Sequence, residues 1–299
     1  MNEKILNHYR EFSAYTNPGC YLDYLKNDLP DDIKEMGLLV QASIIHPLVL
    51  KNGNTGSNED MRYGDMTKVP WYRQKEDDIF PSASAMLAEL FRLDHAGLVL
   101  DRKSQDRIIL SCRFVAVLTA SILKSKGIPA RVRSGFASYF IAEGLPANKS
   151  DDHWINQYWN KDELRWVTLD VDGMLEDYAK LDFCDLPDGK FDFSADAWLK
   201  VRRGEIDGEY FWYAGGYGGL RAILKELFSD FHCLMNNEII YEHSPRMTEL
   251  DEFKNLTENQ LKEIDQLAEL MQNPDDNFEE LKNIWEIKKE YRLLSGGLL

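Results

Sequence analysis

The chain has 299 residues, 44% of them hydrophobic and 29% charged, and a formal net charge of −16 at pH 7. That acidic balance excludes a sequence-independent grip on nucleic-acid phosphates, which needs clustered lysine and arginine. No apolar run in the sequence approaches the length needed to span a membrane. The four cysteines, Cys20, Cys112, Cys184 and Cys233, are widely spaced with no Cys-x-x-Cys. They read as reduced thiols in a cytoplasmic setting, and the polar stretch Met1 to Phe12 has no apolar signal-peptide core.

In chain order, Asn17-Pro18-Gly19 is a turn signal and Leu29-Pro30 breaks what precedes it. Asp31 or Asp32 is placed to cap a helix through Val40. His46-Pro47 interrupts the pattern, and His46, without a partner at metal-ligand spacing, reads as a loop or core histidine. Lys51 to Asp60 is the most loop-like stretch and reads as a solvated linker rather than a lid. Ser82 to Leu93 is a helix with Met86, Leu87, Leu90 and Phe91 on its apolar face.

Ser111 to Arg131 is the stretch around which the chain is organised. Phe114, Val117, Leu118, Ser121 and Ile122 recur at helical spacing, and Gly127 and Pro129 are the expected end signals. Cys112 sits in the first turn. Free N–H groups and the positive dipole end there favour the thiolate, the nucleophilic form. The plain alternative is a small buried hydrophobe, the usual fate of a free cysteine. Gln105, seven residues earlier, is a candidate side-chain donor to an oxyanion. A surface glutamine is the commoner outcome, and the main-chain N–H of Cys112 is the firmer donor.

Alternation marks a strand over Ala130 to Tyr139. Aromatic and branched runs at Asp151–Trp159 and Leu164–Asp170 predict two more, with Asn160-Lys161-Asp162-Glu163 as their turn. A two-residue tip at Lys161-Asp162 sets His153 opposite Asp170 on one face, where a carboxylate can orient an imidazole. Asp172 shares that face and is the second choice of partner, while Asp151 and Asp152 read as loop residues. Trp154 and Trp166 are candidates for cleft walls, though core packing explains each as well. Asp170-Val171-Asp172-Gly173 lacks the other ligands of a calcium loop.

Further on, Trp198 to Arg203 reads as helical, and Arg202 as half of an internal ion pair. Gly215 to Gly219 has neither a P-loop nor a dinucleotide pattern and reads as a flexible connector before a helix from Leu220. Thr257-Glu258-Asn259-Gln260 fits a capping box ahead of an apolar stripe, and Phe278, Leu281, Ile284 and Trp285 form a second stripe.

Cys112, the Gly127-Ile128-Pro129-Ala130-Arg131 run, Ser134-Gly135-Phe136, His153 and Trp166 through Asp170 together resemble the transglutaminase-like superfamily, papain-like in its chemistry. The core likeness covers roughly residues 80 to 175. A wider likeness, to a bacterial group of transglutaminase-like proteins, rests on Tyr15 to Gly19, Asp152-His153-Trp154, Ala197-Trp198 with Arg202 and Gly204, and Asp230 to Glu238. The resemblance implies an α+β fold in which a nucleophile helix packs on an antiparallel sheet, with extra helices from both ends. It implies an N-terminal helical segment over 1–79, a catalytic core over 80–175 and a mostly helical extension over 176–299. It also implies a cysteine hydrolase or acyltransferase working through a thioester on a peptide, protein or small amide. Cys112, His153 and Asp170 would be the catalytic set, with no metal or other cofactor. The alternative is a peptide- or protein-binding module that keeps the fold without the activity. The sequence leaves the oligomeric state open.

Overall fold

The computed structural model describes residues 2–47, 66–70, 72–73, 75–140, 148–175 and 180–292. The expected linker over Lys51 to Asp60 lies outside these residues. Three short helices come first: α1 (Glu3–Arg10), α2 (Leu22–Asn27) and α3 (Ile33–Ser43), the last capped by the Asp32 carboxylate accepting from Glu35 N–H. Strand β1 (Ile44–Ile45) follows at once. Helix α4 (Ala83–Leu93), capped by Ser82, buries Met86, Leu87 and Leu90. Strand β2 (Ile108–Ile109) pairs in parallel with β1 and leads directly into α5 (Cys112–Ser125).

Helix α5 is buried along its whole length, with α2, α3 and α4 on one side and the main sheet on the other. Its end is set by local chemistry. Gly127 takes φ +76°, Ile128 N–H donates to Leu123 C=O at 3.0 Å, and Gly127 N–H donates to Lys124 C=O at 2.9 Å. Such a left-handed stop favours glycine, and Pro129 prevents the helix from resuming.

Among the described residues the main sheet has six strands. Strand β3 (Ala130–Ala137) pairs antiparallel with β4 (Ser150–Asn160), which pairs antiparallel with β5 (Arg165–Leu169). Strand β6 (Phe191–Phe193) takes the other edge of β3. After α6 (Ser194–Arg202), strand β7 (Phe211–Tyr213) joins the start of β4 in parallel, the one departure from antiparallel pairing, and β8 (Tyr217–Gly218) closes a hairpin on β7. The glycine-rich stretch expected to be a connector is thus a tight ordered turn. Asp151 and Asp152 lie within β4 rather than in a loop, and β3 ends two residues earlier than its alternation suggests.

The hairpin between β4 and β5 also corrects the expected register. Its tip is four residues, 161–164, with Leu164 in the left-handed region at φ +55°, and the pairing runs from Asn160↔Arg165 to Asn156↔Leu169. Continued one step, this sets Asp170 level with Ile155, two residues along from His153. A shift of two preserves the face on which each side chain points, so His153 and Asp170 remain on the same side.

Helix α7 (Leu220–Leu234) packs on β3, and α8 (Leu250–Lys254), α9 (Glu258–Gln272) and α10 (Phe278–Ile287) follow. The capping box at Thr257 and Gln260 is formed, and Arg202 pairs with Asp265 at 2.9 Å. These helices share an apolar cluster with α1 and α6, while α5 belongs to a second cluster with α3, α4, β3 and β4. Among the described residues, no helix is long and apolar enough to cross a membrane.

Candidate active site

Cys112 opens α5 and is only 6% exposed. The residue before it, Ser111, does not cap the helix with its side chain. Its N–H donates to Asp77 Oδ1 at 3.0 Å and its hydroxyl donates to Asp77 Oδ2. The helix is held against the sheet by Asn156 Nδ2, which donates to the Ala116 carbonyl at 2.9 Å. That bond fixes the height of Cys112 along β4, and so its position relative to His153.

The thiol faces two imidazoles. Both His153 and His46 act on it electrostatically, each favouring the thiolate. Nε2 of His153 lies 3.0 Å from Asp170 Oδ2, and the His153 side chain is 3% exposed. The ring is fenced by Phe140, Tyr139 and Phe191, with ring centres 4.5, 6.3 and 6.4 Å away. Asp170, fully buried, accepts from the Tyr139 hydroxyl at 2.6 Å on the oxygen that meets His153, and from Gly173 N–H at 3.0 Å on the other. Three donors hold one carboxylate in place.

A third group closes over the sulfur. Tyr241 Oη is 3.3 Å from Cys112 Sγ, within hydrogen-bonding reach, and accepts from Arg113 N–H at 3.1 Å; toward a thiolate the hydroxyl is the donor. The tyrosine is brought there by Arg113, buried next to the nucleophile. That guanidinium donates to the Ile239 carbonyl at 2.9 Å, to the Glu238 carbonyl and to the Pro81 carbonyl at 3.3 Å, tying down the segment that leads to Tyr241.

The electrostatics follow from this geometry. Burial pushes the Cys112 thiol up, but the His153 and His46 imidazoles, which favour the thiolate, outweigh it, and the net direction is down. Burial would lower His153; Asp170 and the Cys112 sulfur raise it well above the ordinary imidazole value. Burial likewise lowers His46, and Asp172 with the sulfur raises it on balance. Burial and the sulfur beside it push Tyr241 well up, so it remains a neutral donor.

The residues singled out in the sequence fall in different places. Cys112, His153 and Asp170 come together. Asp172 does not reach His153 as its partner; its Oδ2 lies 4.0 Å from His46 Nε2. Trp154 is buried in the same apolar cluster as Cys112, edge-on to Tyr241 at 5.8 Å. Trp166 is elsewhere. It donates to Asp275 at 2.7 Å, lies under Arg131, and lines a separate cavity of about 310 Å³ with Arg131, Arg133 and Gln157. Gln105 sits on the turn Ser104–Asp106, where its main-chain carbonyl accepts from Arg73 at 3.1 Å; it is not among the groups found around the sulfur.

Sequence reasoning missed His46 and Tyr241. His46 follows β1, whose parallel register Ile45↔Ile109 sets it beside the residues leading to Cys112. No local signal announces a two-residue pairing between segments so far apart. Tyr241 stands on a short 3-10 turn, Tyr241–His243, with no periodicity to mark it.

The site thus sets a cysteine at a helix start together with an imidazole backed by a buried carboxylate, on a helix-and-sheet scaffold. Residues 111–171 match the family model of the transglutaminase-like superfamily core, beginning one residue before Cys112 and ending one after Asp170. The chain thus carries a transglutaminase-like core with an α+β fold. No curated protein and no solved structure matched the chain.

Proposed function

We propose that the chain is a cysteine hydrolase or acyltransferase that cleaves an amide through a thioester on Cys112. The observation that carries this reading is the buried pair of His153 Nε2 and Asp170 Oδ2 at 3.0 Å, with the His153 imidazole acting on the Cys112 thiol at the start of α5. They supply a nucleophile, a base and a group that orients the base.

His153 takes the thiol proton and the sulfur attacks the amide carbonyl carbon. The protonated imidazole then gives the proton to the leaving nitrogen. Asp170 holds the ring so that one nitrogen faces the sulfur and steadies its positive form. Negative charge on the carbonyl oxygen is met by the main-chain N–H of Cys112 at the start of α5, since the next N–H, that of Arg113, is given to Tyr241. Water completes hydrolysis, and an amine completes transfer.

The test is turnover of simple amides and glutamine-containing peptides by the full chain, with and without added primary amine. Cys112→Ala and His153→Gln are expected to remove product formation. Turnover that survives Cys112→Ala would contradict the reading, and peptide binding without turnover would favour a binding module.

A further inference from the structure

A single base explains an activated thiol, yet the sulfur has two. His46 is set beside the residues leading into Cys112 because β1 pairs in parallel with β2 and Leu110 N–H donates to the Ile45 carbonyl at 3.1 Å. Each imidazole has its own carboxylate, and both carboxylates come from one short stretch: Asp170 just past β5, and Asp172 at the start of the turn Asp172–Leu175. Gly173 N–H, bonded to Asp170, ties that stretch together.

The two pairs differ in a way that suggests a division of labour. His153 is 3% exposed and tightly bonded at 3.0 Å. His46 keeps 19% of its side-chain surface and stands 4.0 Å from Asp172. Of the two imidazoles it is the more exposed. Two neighbouring imidazoles repel when both are protonated, so a position needing only packing would be better filled by an apolar side chain.

We propose that His46, held by Asp172, is a second acid–base residue that serves the acceptor half of the reaction. The assignment rests on the thioester chemistry proposed above. In the first half, the Cys112 proton passes to His153 and the C–S bond forms. The C–N bond breaks with its electron pair going to nitrogen, which takes the proton back from His153. In the second half, the acceptor oxygen or nitrogen bonds the carbonyl carbon as its proton passes to His46. The C–S bond breaks with its pair returning to sulfur, and the proton on His46 moves to that thiolate. Among the described residues, the charged and titratable groups acting on His46 include Asp172, the Cys112 sulfur and His153.

The test is stopped-flow hydrolysis of p-nitrophenyl acetate by the full chain, with peptide mass spectrometry of Cys112. His46→Gln is expected to retain a burst of p-nitrophenol, slowed by about tenfold or less, and to slow the steady state by about 10²-fold. Acetyl-Cys112 should accumulate, and added imidazole should restore turnover. His153→Gln is expected to lose the burst. Equal slowing of both phases by His46→Gln, or no slowing, would overturn the proposal while leaving the thioester reading in place; a burst that survives Cys112→Ala would overturn the thioester reading itself. A second measurement does not need ester turnover. At pH 6, iodoacetamide labelling of Cys112 is expected to fall about tenfold in His46→Gln, and unchanged labelling in a variant with native circular dichroism counts against the second pair.

Discussion

His153 and Asp170 are bonded at 3.0 Å although neither is the other's partner across the hairpin. The carboxylate lies just past the end of β5 and reaches the imidazole along the diagonal, where Tyr139 and Gly173 fix it. Asp170→Asn keeps the shape and removes the charge. It is expected to lower initial rates on an amide substrate by about 10²–10⁴-fold, whereas Tyr139→Phe removes only one supporting hydrogen bond and should lower them by about tenfold or less.

Gly135 stands directly opposite His153 in the β3–β4 register and across from Phe193 in the β3–β6 register. A Cβ there would meet the Asp192 carbonyl oxygen, which is backbone, and the Phe191 ring. Gly135→Ala should therefore push β6 from the sheet and lower stability by about 1–3 kcal/mol. Urea denaturation checks this. A native midpoint would mean that β6 does not pack as closely as described.

How much of this was legible in the sequence depended on range. The ends of α5 were readable because Gly127 and Pro129 act on the bonds beside them. The face shared by His153 and Asp170 was readable because strand alternation survives a slip of two residues. The slip itself was not, since it turned on Leu164 accepting a left-handed conformation. Asp151 and Asp152 looked like loop residues because aspartate is depleted in strands; pairing with Phe136 and Ala137 on one side and with β7 on the other holds that end of β4 in the sheet. His46 was hidden because its position comes from a parallel pairing across a long stretch of chain.

The placement of Asp151 gives a pH dependence. Burial, then the neighbouring Asp152 charge, raises its carboxyl to about 7, and its Oδ1 has no hydrogen-bond partner among the described residues. The native state thus holds this proton more tightly than the unfolded chain does, from the ordinary value of 3.8 up to about 7. Stability from this group is complete below the lower value and is lost as pH rises through the upper one. Asp151→Asn should leave the thermal midpoint unchanged near pH 4 and raise it by a few degrees above pH 7, measured by calorimetry. An equal shift at both pH values would mean that the effect is not electrostatic.

Arg133 and Asp230 form a buried ion pair between β3 and α7, with two parallel bonds of 2.8 Å. Arg133→Met leaves the Asp230 carboxylate without its cation and is expected to cost about 3–5 kcal/mol. Arg133→Met/Asp230→Leu should recover part of that loss. A double variant no more stable than the single one would show that the packing of the arginine, and not its charge, matters at this site.

The central claim is that Cys112 is held as a nucleophile by His153, and the most direct measurement is the pH profile of its alkylation by iodoacetamide. Labelling is read on the Cys112 peptide, so that exposed Cys20 and half-buried Cys184 do not contribute. The native chain should react well below the free-thiol value of about 8.5, and His153→Gln should move the profile up by about one pH unit or more. A single titration near the free-thiol value, the same in both proteins, would contradict the account.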